Sequence, residues 1–113
     1  MGSEVELGEM RREGDCVTVE VRVPADARYF DGHFPGAPIL PGVAQIIALS
    51  EEPARVAWPD LGAAVGLRRV KFQQAIRPDD VLELRLVRQE AKVSFEVHKK
   101  GTLCSKGVLV FGG

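Results

Sequence analysis

Hydrophobic and polar positions alternate strictly through "CVTVEVRVP", with Val17, Val19, Val21 and Val23 on one side and Cys16, Thr18, Glu20 and Arg22 on the other. A period of two predicts a strand with one buried face. The preceding "VELGEMRREGD" is able to pair with it as a second strand, and "EGD" supplies the turn between them. The same alternation returns in the second half of the chain. In "VLELRLV" the residues Leu82, Leu84 and Leu86 share a face, and in "KVSFEVH" Val93, Phe95 and Val97 do. "AVGLRRVKF" and "LCSKGVLVF" read as further strands, and "KKG" at Lys99 to Gly101 as a hairpin turn.

Between these two groups the pattern changes. "PGVAQIIALSEEPARVAW" is apolar on nearly every side through Leu49, which predicts a helix buried all round. Pro41 suits its first turn, where a missing N–H costs nothing. Pro53 predicts a bend or break near Ser50 to Pro53, since a proline inside a helix removes a hydrogen bond. Two strands, one buried helix and about four more antiparallel strands make an α+β fold, one domain over residues 1–113, with a sheet wrapped around a long central helix.

Composition narrows the functional classes. Fifteen basic against sixteen acidic residues leave a net charge of −1, without the basic excess of a nucleic-acid binder. No apolar run approaches the ~20 residues of a membrane span, and "MGSEVELGEMRREGD" lacks the apolar core of a signal peptide, so the expected compartment is the cytoplasm. Cys16 and Cys104 lie far apart with no metal-ligand spacing and read as reduced thiols.

The chemistry concentrates in "YFDGHFPGAPILPGVAQIIA", where His33 stands in a loop of glycines and prolines that runs straight into the apolar helix. "GHFPGAPILPGV" resembles the signature of the hot-dog-fold 3-hydroxyacyl-acyl-carrier-protein dehydratases of bacterial fatty-acid synthesis. "VKFQQAIRPDD" resembles their second signature, an aromatic strand followed by R-P-G-D. With "KVSFEV" and "TLCSKG" the pattern is most similar to the short ApeI-like dehydratases of aryl-polyene synthesis. The resemblance covers most of the chain.

It implies removal of water from a (3R)-hydroxyacyl thioester carried by acyl carrier protein, in fatty-acid, polyene or polyketide synthesis, with no metal and no organic cofactor. Such chemistry needs a base for the proton beside the carbonyl, a donor for the developing enolate oxygen and an acid for the leaving hydroxyl. By resemblance His33 is the base. Gly42 opens the helix, where unpaired backbone N–H groups and the dipole favour negative charge, and its amide polarises the carbonyl. Phe34, Pro41, Val43, Gln45 and Ile47 are placed along the substrate.

The family's partner carboxylate falls on Ile47 here, which cannot give a proton to the leaving group. Glu51 lies four residues on, along the same helical face, and is the candidate replacement; its other reading is a solvated helix end in "SEEP". Arg68, Arg69, Lys71 and Arg77 either meet an acidic partner surface or form the solvated face of a strand. The resemblance further implies a homodimer or higher hot-dog oligomer, without nucleic acid or membrane. Two other readings share the fold: a catalytically weak subunit that binds acyl carrier protein or pairs with an active dehydratase, and an acyl thioesterase.

Overall fold

The computed structural model describes residues 5–24, 42–77 and 79–112. Its strands follow the alternating segments. β1 (Glu6–Glu13) and β2 (Cys16–Arg22) form a hairpin. β3 (Ala64–Phe72), β4 (Val81–Gln89), β5 (Lys92–Lys99) and β6 (Thr102–Phe111) follow the helical segment. All pairings are antiparallel, in the order β1-β2-β4-β5-β6-β3, so the strand that leaves the helix returns to the far edge of the sheet.

Register explains why one face is dry. Val17 pairs with Leu86, Val19 with Leu84 and Val21 with Leu82, while Leu86 faces Phe95 and Leu84 faces Val97. All of these are buried, and Ala48, Leu49, Ala54, Ala57 and Trp58 of the helical segment join them in one core. A six-stranded antiparallel sheet packed against a helix agrees with the α+β hot-dog architecture that the resemblance implies. Phe95 is central to it: its ring lies 2.8 Å from where a side chain on Gly107 would begin, so the glycine leaves the space the ring fills. Phe95→Ala is expected to cost about 3–5 kcal/mol, read as a lowered midpoint in chemical denaturation with unchanged slope.

The turns obey backbone chemistry. Gly14 and Gly101 adopt positive φ in the β1–β2 and β5–β6 hairpins. Asp79 does so as well, with φ of 65°, at the place where R-P-G-D sequences carry glycine. Aspartate tolerates this left-handed region better than most side chains. The amide of Asp79 donates to the Val23 carbonyl, and the Arg77 amide donates to Asp80 Oδ2 at 2.7 Å. The turn is thereby tied to the end of β2.

The helical segment is anchored at its far end. Arg12 of β1 donates to the Ala57 carbonyl and lies 5.3 Å from the centre of the Trp58 ring. Arg88 grips Asp60 with two N–H groups, at 2.9 and 2.8 Å. That hydrogen bonding holds the Asp60 carboxyl below the usual carboxylate range. Its stabilisation is present above the unfolded carboxylate value of about 4 and is lost as pH falls through the lower folded value. Among the described residues no helix is long and apolar enough to cross a membrane.

Candidate functional site

The helix begins where the sequence placed it. α1 (Gly42–Ile46) is followed without interruption by a π-helical turn (Ile47–Glu51) and by α2 (Glu52–Ala57). Of the bend or break expected near Ser50 to Pro53, the break does not occur, and the irregularity there is a widened turn. A proline at this position has no N–H to give the preceding turn, and its ring collides with the carbonyl four residues back. Widening the turn accommodates both effects: the Glu52 amide donates to the Ile47 carbonyl, five residues back. Ser50 adds a bond from its hydroxyl to the Ile46 carbonyl. Single π-helical turns inside α-helices are rare and frequent at functional sites.

The expected all-round burial also needs correction. Ala48, Leu49 and Ser50 are fully buried, but Ile47 is 37% exposed, whereas the polar Gln45 is buried. Among the described residues the helical segment enters the core through Ala48, Leu49, Ala54 and Ala57, and Ile47 lies off that face. Ile47, Glu51 and Arg55 follow one another at four-residue intervals, about one turn apart, along the opposite face.

On that face Glu51 is ordered by an ion pair. Arg55 Nη2 donates to Glu51 Oε2 at 3.1 Å, with the Glu51 side chain 27% exposed. Glu51 is neither a freely solvated helix end nor a carboxylate enclosed by apolar side chains.

Gly42 meets a residue that the sequence reading did not single out. The Phe72 ring lies 3.1 and 3.2 Å from the position a side chain on Gly42 would take. Close approach by a ring of this protein is thus one reason for glycine at the helix start, alongside any approach by substrate. Phe72 is itself 49% exposed, at the end of the edge strand β3. Its signal was the aromatic of "VKF", which is legible only once β3 is known to run beside the helix start.

His33, Phe34 and Pro41 lie outside the described residues, as does the side chain of Val43. The four basic residues of the second signature have different surroundings. Arg68 and Arg69 line one groove, and Lys71 stands opposite Lys106 on β6. Arg77 belongs to the turn at Asp80. His98 lies 3.6 Å from Glu96 at the end of β5. Cys16 and Cys104 are free thiols, and burial pushes the Cys104 thiol up, away from the nucleophilic form. Among the described residues no group of three histidine, cysteine, aspartate or glutamate side chains is placed to hold a metal ion.

Comparison with known proteins gives this geometry its context. The family model of the ApeI dehydratase, ApeI-like, matches residues 9–108. A 3-hydroxyacyl-[acyl-carrier-protein] dehydratase of Oleidesulfovibrio alaskensis is 32% identical over 90 residues, covering 71% of this chain and 58% of that enzyme. The enzyme of the same name from Levilactobacillus brevis is 33% identical over 91 residues, 71% of this chain and 60% of that one. The chain thus matches rather less than two thirds of the length of either. The dehydratase heterocomplex ApeI:P from Xenorhabdus doucetiae superposes with a TM-score of 0.86 at 22% identity, over 96% of this chain and 97% of that one.

Proposed function

Because the chain belongs to the ApeI-like dehydratase family, we propose that it removes water from a (3R)-hydroxyacyl thioester on acyl carrier protein to give the trans-2-enoyl thioester. The observation that carries this reading is the family match across residues 9–108, which spans both signatures and the helix between them. Conversion belongs to the cytoplasm, in a hot-dog homodimer or higher oligomer, and requires neither a metal nor an organic cofactor.

In this proposal His33 takes the proton from the carbon beside the thioester carbonyl. The electron pair moves towards the carbonyl oxygen, where the Gly42 amide at the open start of the helical stretch stabilises the enolate. Collapse of the enolate forms the double bond and expels the 3-hydroxyl, which leaves as water with a proton from Glu51. His33 ends protonated and Glu51 ionised, and exchange with solvent resets both. Ile47 removes the family's usual donor. Its place one turn further along the same face supports Glu51 as the replacement; the contact with Arg55 favours the carboxylate, so Glu51 takes up a proton from solvent before it serves as the acid. In this reading Phe34, Pro41, Val43, Gln45 and Ile47 line the substrate, and Phe72 packs against Gly42 beside it.

The purified protein mixed with a (3R)-hydroxyacyl carrier protein should yield an enoyl thioester lighter by one water, read by mass spectrometry of the intact carrier. Release of free acid instead would make it a thioesterase. No reaction without a second, co-purifying hot-dog protein would make it a non-catalytic subunit.

A further inference from the structure

The outer face of the sheet carries a feature that the dehydratase reading does not use. Strand β3 loses register with β6 between Arg68 and Lys71, and within this bulge Arg69 takes φ of 54°. An unbroken strand would send Arg68 and Arg69 to opposite faces. The extra residue of a bulge changes that alternation, and here both arginines line the same groove of about 290 Å³ with Gln89, Lys92, Ser94 and Val108. Left-handed backbone at a side chain as large as arginine is unfavourable, and the conformation brings like charges together.

Charge makes the groove unusual for this molecule. Four other arginines find carboxylates: Arg11 meets Glu83, Arg22 meets Glu6 and Asp79, Arg55 meets Glu51 and Arg88 meets Asp60. Around the groove Arg68, Arg69 and Lys92 have no acidic partner among the described residues, and no carboxylate lines it. Three uncompensated cations, with Gln89 and Ser94 able to donate, form a concave set of donors in a chain whose net charge is −1. Two guanidinium groups beside an ammonium and a hydroxyl match the oxygens of a phosphate group, which guanidinium binds with two parallel hydrogen bonds.

We infer that this groove is a binding site for a phosphate mono- or diester. It lies on the face of the sheet opposite the helix. Inorganic phosphate titrated at constant ionic strength against chloride should give saturable amide shifts at Arg68, Arg69, Lys92 and Ser94 in NMR. Arg69→Gly suits the left-handed backbone and removes one charge, and Arg68→Gln keeps the strand. Each should weaken binding at least ten-fold while melting within a few degrees of the parent. Coenzyme A compared with its 3′-dephospho form, and a carrier protein with and without its phosphopantetheine arm, identify which phosphate is preferred. Shifts that do not saturate, or that survive both substitutions, would overturn the site. So would saturable binding of polyglutamate without any of phosphate, which would make this face a dock for acidic protein.

Discussion

His33→Ala is expected to stop formation of the enoyl thioester, with kcat falling by roughly 10²–10⁴ and the melting temperature little changed. The loss should be larger than that of any other single substitution, because the base is needed for the first bond to break. An imidazole with an ordinary value of about 6.5 accepts a proton near neutral pH, so no other group has to be perturbed for the role. A second measurement separates base chemistry from a structural effect. In deuterium oxide the parent protein should exchange the proton beside the thioester carbonyl of a substrate analogue lacking the 3-hydroxyl, and the variant should not. Retained turnover together with retained exchange would remove His33 from the mechanism.

The second large effect concerns the acid. Glu51→Gln keeps the shape of the side chain and its contact with Arg55 but cannot supply a proton, and kcat should fall about 10²-fold with KM nearly unchanged. Exchange of the proton beside the carbonyl should persist in this variant, since that step precedes departure of the hydroxyl. Ile47→Glu in the Glu51→Gln background places a carboxylate one turn earlier on the same face and should restore part of the rate. Full activity of Glu51→Gln would sink the replacement, and Ile47→Glu alone should then raise turnover above the parent.

The local pattern was sufficient for the strands. Val17 to Val23, Leu82 to Leu86 and Val93 to Val97 declare their buried faces by period two, and the sheet places each of those sets in the core. The turn at Asp79 was legible in the same way, because the chemistry of a left-handed residue is local. So was the start of the helix at Gly42, and the family signature around His33 fixed which chemistry to look for.

What the sequence could not determine depends on what lies across space. Whether Pro53 breaks, bends or widens a helix is decided by packing: Ala48, Leu49 and Ala54 are held in the core on both sides of it, so the chain keeps its path and the turn expands. The meeting of Phe72 with Gly42 joins residues thirty positions apart, and only the placement of β3 beside the helix start brings it about. Arg68 and Arg69 read as alternating positions of a strand until a shift of register turns both into one groove. Periodicity reports the side a residue prefers to face. The identity of its neighbour there is set by register and strand order, which are properties of the whole sheet.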